Sequence, residues 1–198
     1  GAPAATDVLG DHVDFMIGCG ELDVDGVELY TPFLERPDEP YLRALADHLA
    51  SLGLEMPMLC HSPDFTHPDA AERERQVEEA RRMIGATRSL GGRFCRVLSG
   101  QRWPGVGEEE GTGWVVDALE RLLADAEAAG VVLTLENHYK DGSWEYPEFA
   151  QSRERFLRIL RSLPSPWLRV QYDPSNAVVA GIDAYALLDE VVDRVATV

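Results

Sequence analysis

The chain has 198 residues, 45% of them hydrophobic, which is enough for one domain with a sizeable buried core. Its 18 Lys and Arg residues against 35 Asp and Glu residues give a net charge of −17, which disfavours nucleic acids and anionic membranes as partners. No apolar run approaches the roughly 18 to 20 residues of a membrane helix, and the first residues lack a signal-peptide pattern. We therefore expect one cytoplasmic domain over residues 1–198, and a homo-oligomer remains open.

Strand-like apolar segments alternate with amphipathic helical segments along the whole chain. The predicted elements, in chain order, are helix 7–20, strand 26–30, helix 40–52, strand 55–61, helix 69–90, strand 93–99, helix 113–129, strand 131–138, helix 147–162, strand 168–173, helix 183–193 and a last strand from 194. Several strand segments are nearly continuous in apolar residues, which is typical of parallel strands covered on both faces. The pattern predicts an α/β fold built from repeated β/α units.

Glycine and capping residues mark the helix ends. Gly53, Gly91-Gly92 and Gly130 follow predicted helices, where a left-handed residue is favoured. Plausible N-caps are Asp69, Thr112 and Asp183.

Polar residues at the strand ends distinguish a barrel from an open sheet. They occur at or after five predicted strands: Glu28, His61, Ser99 with Gln101, Glu136 with Asn137 and His138, and Asp173. All strand ends of a barrel converge on one face, whereas an open sheet brings together only those beside its switch point. The first β/α turn also lacks a glycine-rich phosphate fingerprint. The sequence therefore favours a (β/α) barrel.

Glu136 is the most informative residue. It directly follows an apolar strand, where a carboxylate is costly to bury without a compensating charge. Asp173 repeats the arrangement one strand later, so the two carboxylates would face a common point that suits Mg²⁺ or Mn²⁺. The alternative is that each carboxylate caps a helix or pairs with an arginine. We predict that both are ligands of one divalent metal ion.

Other polar and aromatic residues at the same face are candidates for substrate binding. His61 and His138 could bind hydroxyl groups or transfer protons, although a structural histidine is the alternative for each. Lys140 lies in the loop after the Glu136 strand and could hold an anionic group. Trp103, in the preceding β/α loop, could pack against a sugar ring, or it could belong to a packed lid loop.

The segments GVELY, CHSP, LTLENH and YDPSN together resemble the sugar phosphate isomerase/epimerase family of the xylose isomerase-like TIM barrel superfamily. The resemblance covers about residues 7 to 198, and its most specific parts are Glu136 and Asp173. It implies one divalent ion (Mn, Mg or Co) held by a fifth-strand Glu, a sixth-strand Asp, a seventh-strand His and an eighth-strand Glu. Glu136 and Asp173 match the first two.

The resemblance also implies departures from the family pattern. The third and fourth ligands and the first strand fall outside the chain, which implies a (β/α)8 barrel truncated at both ends, with about strands two to seven present and no activity of its own. Family epimerases often carry a His three residues after the metal Asp, where this chain has Asn176. An amide can bind a hydroxyl group but cannot take up a proton.

The resulting functional prediction is a metal-dependent isomerase or epimerase that acts on a sugar or sugar derivative through an enediolate. Glu136, or the eighth-strand Glu that falls outside the chain, would move the proton, and hydroxyl groups would be oriented by His61, Asn137, His138 and Asn176. The alternatives are a metal-dependent lyase that cleaves keto-glycosides on the same fold and a non-catalytic sugar-binding barrel. A repair endonuclease is disfavoured, because such enzymes use more His and carboxylate ligands and the charge of −17 opposes DNA binding.

Overall fold

The computed structural model describes residues 18–198 and contains six strands that alternate with helices. The strands are β1 (Leu29–Tyr30), β2 (Met58–Cys60), β3 (Phe94–Val97), β4 (Val132–Glu136), β5 (Leu168–Gln171) and β6 (Val195–Thr197). The helices are α1 (Glu39–Ser51), α2 (Ala70–Ser89), α3 (Glu108–Ala129), α4 (Arg153–Ser162), α5 (Pro174–Val179) and α6 (Ala184–Val191). Three short 3-10 helices cover Thr31–Phe33, Phe149–Gln151 and Val192–Arg194. The predicted helix 7–20 lies, up to residue 17, outside the described residues.

The strands form one parallel sheet in the order β1-β2-β3-β4-β5-β6. Each strand therefore pairs with its neighbours in sequence, and the helix between two strands covers the outer face. The predicted alternation of β and α elements is confirmed. Because all strands are parallel, their carboxyl ends meet at one edge, and the loops that follow them lie side by side.

Successive side chains of β4 point to opposite faces of the sheet. Leu133 and Leu135 are completely buried in the core beneath the helices. Thr134 and Glu136 face the other way, and the Thr134 hydroxyl contacts the Met58 sulfur at 3.7 Å. The inner face of the sheet thus carries polar groups, and the outer face carries the apolar core.

Several helix ends follow the predicted capping residues. The side chains of Asp69 and Asp183 accept hydrogen bonds at the N-termini of α2 and α6, and Gly53, Gly91 and Gly130 have positive φ angles. The predicted cap at Thr112 is wrong, because α3 begins at Glu108 with Gly107 as its N-cap. Glu108, Glu109 and Glu110 fill the first turn, where the helix dipole favours negative charge.

Two other helix predictions need correction. The predicted helix 147–162 is divided into the 3-10 turn Phe149–Gln151 and α4, because the Ser152 side chain caps α4 by accepting from the Arg155 N–H. The short helix α5 was not predicted, since six residues are too few to show a helical period. No helix within residues 18–198 is long and apolar enough to cross a membrane.

Gly100 lies where the loop after β3 crosses the loop after β2. Its φ is +116°, and a Cβ there would lie 2.3 Å from the Thr66 hydroxyl and 2.6 Å from Asp64 Oδ1. Its carbonyl also accepts a hydrogen bond from the Phe149 N–H at 2.7 Å. Only glycine allows the three segments to approach this closely.

We expect Gly100→Ala to lower the free energy of unfolding by about 3 kcal/mol or more, because backbone strain and steric collision add. Gly105→Ala is the matched control: its φ is +86°, but no described atom lies within 4 Å of the added Cβ. It should cost only about 1 to 2 kcal/mol. Urea denaturation measures the free energy of unfolding of both variants. Equal losses of stability would contradict the steric collision expected at Gly100.

Glu148 joins the loops after β3 and β4 from a completely buried position. Its Oε1 accepts hydrogen bonds from the backbone N–H and the hydroxyl of Ser99, each at 2.7 Å. Its Oε2 has no hydrogen-bond partner among the described residues. Burial raises the pKa of this carboxyl to about 8, although the two bonds from Ser99 oppose the shift.

Because the pKa of Glu148 is higher in the folded than in the unfolded protein, its contribution to stability is present at low pH and is lost as the pH rises towards 8. Glu148→Gln removes this titration. We expect the free energy of unfolding of the variant, relative to the unaltered protein, to rise by a few kcal/mol between pH 5 and pH 8. Urea denaturation at both pH values measures this, with the exposed Glu127→Gln as control. A difference independent of pH would show that Glu148 is not protonated in the fold.

Candidate functional site

An ion pair inside the sheet joins β3 to β4. Arg96 Nε lies 3.2 Å from Glu136 Oε2, and the two side chains are only 9% and 7% exposed. The Nε–H is not directed at that oxygen and has no hydrogen-bond partner within residues 18–198. The contact is therefore an electrostatic pair in which Glu136 compensates a buried guanidinium.

The second oxygen of Glu136 is linked through Asn176 to Asp173, which lies two residues after β5. The Asn176 side chain lies between the two carboxylates, and its Nδ2 donates to Glu136 Oε1 at 3.0 Å and to Asp173 Oδ2 at 2.9 Å. Two carboxylate oxygens from adjacent strands thus converge on a single nitrogen atom. This arrangement brings together the two predicted metal ligands.

Asp173 divides its oxygens in the same way as Glu136. Its Oδ1 caps α5 by accepting from the backbone N–H groups of Ser175 and Asn176 at 2.7 and 3.0 Å, which leaves Oδ2 to accept from the Asn176 side chain. The two alternatives left open by the sequence, a helix cap and an arginine partner, are both present. Each occupies one oxygen of its carboxylate, and the other oxygen takes part in the convergence.

Asn137 fixes the position of Asp173. Its Nδ2 donates to the Asp173 carbonyl at 2.6 Å, and its Oδ1 accepts from the Asp173 N–H at 2.8 Å. This pair extends the contact between β4 and β5 beyond the last strand residues. Both ends of the Asn137 amide are bonded to the Asp173 main chain. The predicted contact of Asn137 with substrate stays a prediction.

The Glu136 carboxyl has an unusual protonation equilibrium. Its pKa is raised to about 7: burial is the largest cause and the charges of Asp173 and Glu28 add to it, whereas Arg96 and the hydrogen bond from Asn176 oppose it. A dication beside Glu136 and Asp173 would lower this pKa, because it would favour the ionised form of both carboxylates.

The two predicted histidines lie next to this cluster. Burial, followed by the charge of Arg96, lowers the pKa of His61 to about 3 and that of His138 to about 4. His61 Nδ1 lies 3.1 Å from the Thr31 hydroxyl, and its buried Nε2 has no partner in the described part of the chain. Both imidazoles are therefore neutral near pH 7, which suits hydrogen bonding to hydroxyl groups.

A hydrogen-bonded chain continues from Arg96 towards β1. Arg96 Nη1 donates to the Ser62 hydroxyl at 2.9 Å, and Ser62 donates to Asp141 Oδ2 at 2.7 Å. The Tyr30 hydroxyl donates to the same oxygen at 2.7 Å. Burial opposes ionisation of Asp141, but the hydrogen bonds from Ser143, Tyr30 and Ser62 outweigh it and lower the pKa to about 2. The polar chain therefore crosses the ends of all the strands from β1 to β5.

Aromatic side chains form a rim beside the polar chain. The Trp103 ring lies 4.9 Å from His67 and 5.1 Å from Tyr146, measured between centroids, and its Nε1 donates to Asp64 Oδ2 at 2.8 Å. Gln101 donates to the same oxygen at 3.0 Å. Trp103 is thus held in place by its indole nitrogen, with its ring partly accessible.

The loop after β4 is attached to this rim by its backbone. Gln101 Oε1 accepts from the N–H groups of Glu145 and Tyr146 at 2.8 and 3.0 Å. Lys140 lies in the same loop and is exposed, so its predicted contact with an anionic substrate stays a prediction.

Sequence reasoning missed Arg96, Tyr30, Ser62, Asp141, Asp64 and Glu148. Arg96 could have been found, because an arginine within the apolar segment FCRVL raises the same question of charge compensation as Glu136. The roles of Asp141 and Asp64 depend on contacts between separate loops and carry no comparable local signal.

Within residues 18–198, no three His, Cys, Asp or Glu side chains are grouped as a metal site. Glu136 and Asp173 nevertheless suit a hard divalent cation, because one oxygen of each accepts from the same Asn176 amide nitrogen, whose place an ion would take. Mg²⁺ and similar ions are often held by one or two carboxylates, with water or substrate oxygens completing their coordination.

The chain was compared with known protein families and solved structures. A sequence profile described as xylose isomerase-like TIM barrel matches residues 19–197, and no curated protein sequence matches the chain. Three solved structures superpose well on it. The 3-keto-D-glucoside 4-epimerase from E. coli has a TM-score of 0.78 at 16% identity, over 94% of this chain and 72% of its own. An L-ribulose 3-epimerase has a TM-score of 0.80 at 19% identity, over 95% and 63%.

The D-psicose 3-epimerase from Clostridium cellulolyticum has a TM-score of 0.78 at 12% identity, over 94% of this chain and 66% of its own. The chain thus spans between 63% and 72% of the length of these structures. At such identities the superpositions establish the fold alone, and the profile match extends over nearly the whole chain. The chain therefore belongs to the xylose isomerase-like TIM barrel family.

Proposed function

We propose that the protein is a divalent-metal-dependent isomerase or epimerase that acts on a sugar or sugar derivative at a carbon next to a carbonyl group. The observation that carries this proposal is the convergence of Glu136 and Asp173 on the Asn176 amide nitrogen. The convergence lies at the carboxyl ends of parallel strands, which is where barrel enzymes have their active sites.

Glu136 Oε1 and Asp173 Oδ2 would hold the ion, because both oxygens are directed towards the same place. A divalent ion bound there supplies Lewis-acid polarisation of the substrate carbonyl, which makes the neighbouring C–H more acidic. Arg96 and the α5 N-terminus keep the remaining oxygens occupied, so the two carboxylates are pre-oriented before any ligand arrives.

Other roles in the proposed reaction are to bind and orient the sugar and to transfer its proton. Glu136 moves the proton of the substrate carbon through Oε2, which lies beside Arg96 Nε but accepts no hydrogen bond from it. Hydroxyl groups of the substrate are oriented by the unpartnered Nε2 of His61 and by the amide of Asn176. His138, in the loop after β4, also orients hydroxyl groups. Trp103 and Tyr146 cover the apolar face of the sugar ring, and Lys140 contacts any anionic substituent.

The substrate class that we propose is a ketose or a keto-sugar derivative. The structures superposed above are named for a keto-glucoside, a ribulose and a psicose, all of which carry a ketone next to a carbon bearing a hydroxyl group. An acidic C–H beside a ketone is what the convergent carboxylates and a Lewis acid can exploit.

Metal binding is tested with a matched pair of helix caps. Asp173 caps α5 and Asp183 caps α6, and Asn is as good an N-cap as Asp, so neither Asp173→Asn nor Asp183→Asn should disturb its helix. We expect Asp173→Asn to weaken Mn²⁺ binding at least about tenfold in calorimetric titration, since even outer-shell changes cost this much. Asp183→Asn should bind as the unaltered protein does. Equal binding by both variants would exclude Asp173 as a ligand.

Proton transfer is tested by solvent exchange. With Mn²⁺ and candidate ketoses in D₂O, we expect deuterium to enter the carbon next to the carbonyl, and Glu136→Gln should slow this at least about 100-fold. The exposed Glu120→Gln serves as control. Exchange that survives in Glu136→Gln would refute the role of Glu136. Release of an aglycone from keto-glycosides would indicate a lyase. Sugar binding without deuterium exchange would indicate a non-catalytic barrel.

A further inference from the structure

Arg96 places a permanent positive charge inside the sheet, next to the proposed metal site. A guanidinium stays protonated at any physiological pH. Its side chain is 9% exposed, and its Nε lies 3.2 Å from Glu136 Oε2. The nearest acidic partner of this buried cation is therefore one of the two proposed ligands.

The guanidinium is held in this position from its other end. Nη1 donates to the His61 carbonyl at 3.2 Å and to the Ser62 hydroxyl at 2.9 Å. Ser62 is in turn bonded to Asp141, whose Oδ1 accepts from the backbone and hydroxyl of Ser143. Arg96 therefore cannot swing away from Glu136 without breaking buried hydrogen bonds.

The two oxygens of Glu136 have different partners. Oε2 faces Arg96, whereas Oε1 faces Asn176 and Asp173. A cation between Glu136 and Asp173 would share a single carboxylate with a fixed guanidinium. The two positive charges repel each other, and the guanidinium withdraws charge from the ligand.

We propose that Arg96 weakens divalent-cation binding at Glu136 and Asp173, so that the empty site is stable and the ion is held tightly only with substrate oxygens. This inference rests on the metal site proposed above. Arg96 is a positioning residue here: it acts through Glu136 and keeps one carboxylate oxygen from the ion.

The test compares Mn²⁺ binding by the unaltered protein, Arg96→Gln and Arg96→Lys, using calorimetric titration without substrate. Arg96→Gln removes the charge and should bind Mn²⁺ at least about tenfold more tightly, because the guanidinium and the ion would otherwise repel each other across one shared carboxylate. Arg96→Lys keeps the charge and should bind within about threefold of the unaltered protein. Circular dichroism and urea denaturation confirm that each variant is folded.

A second variant covers the case in which Arg96→Gln does not fold. The Glu28 carboxylate interacts electrostatically with both Arg96 and Glu136. Arg96→Gln combined with Glu28→Gln leaves the total charge of the cluster unchanged. The comparison is with Glu28→Gln alone, which differs from the double variant only in the charge of Arg96. The double variant should bind Mn²⁺ at least about tenfold more tightly than Glu28→Gln, and equal binding by the two would refute the role of Arg96.

The outcomes separate this inference from the proposed function. If the unaltered protein binds Mn²⁺ and Arg96→Gln binds no more tightly, the role of Arg96 is refuted and the metal site stands. If Arg96→Lys tightens binding as much as Arg96→Gln, the hydrogen bonds of the guanidinium are responsible and its charge is not. If no variant binds Mn²⁺ and Asp173→Asn changes nothing, the metal site itself is wrong.

Discussion

Two opposite charges, those of Arg96 and Glu136, lie side by side within the parallel sheet, and neither would be tolerated there alone. Desolvating an isolated guanidinium or carboxylate costs several kcal/mol, which is comparable to the whole stability of a domain. Because each charge compensates the other, the pair offsets this desolvation cost for β3 and β4. It also determines which oxygen of Glu136 remains directed towards Asp173, so the geometry of the candidate site follows from the compensation of one buried charge.

The loops that surround the pair are held by a second layer of buried carboxylates. Asp64 accepts from Gln101 and Trp103, and Glu148 accepts from Ser99. Each of these bonds connects different β/α loops, so the rim does not depend on the helices alone for its shape. Such support matters for a site in which reactive groups must be held within a fraction of an ångström.

The sequence predicts the sheet and its two central carboxylates because both have local signals. A run such as VVLTLE combines an apolar strand with a charge at its end, and parallel strands necessarily bring such ends together. The bridge formed by Asn176 has no such signal. It depends on α5, whose six residues are too few for a periodic pattern, although a helix cap at Asp173 was one of the alternatives that the sequence left open. Arg96 was missed because charge compensation was considered at strand ends and not within strands.

Asn176 shows how the chain departs from the family pattern that its sequence resembles. A histidine at this position could exchange a proton with substrate, whereas an amide can only donate or accept hydrogen bonds. Here the amide donates to both Glu136 and Asp173, and so relieves the repulsion between them. The neighbouring imidazoles are weak proton acceptors, because burial and the charge of Arg96 lower the pKa of His61 to about 3 and that of His138 to about 4. Among the described residues at the convergence, proton transfer in the proposed reaction therefore falls to Glu136.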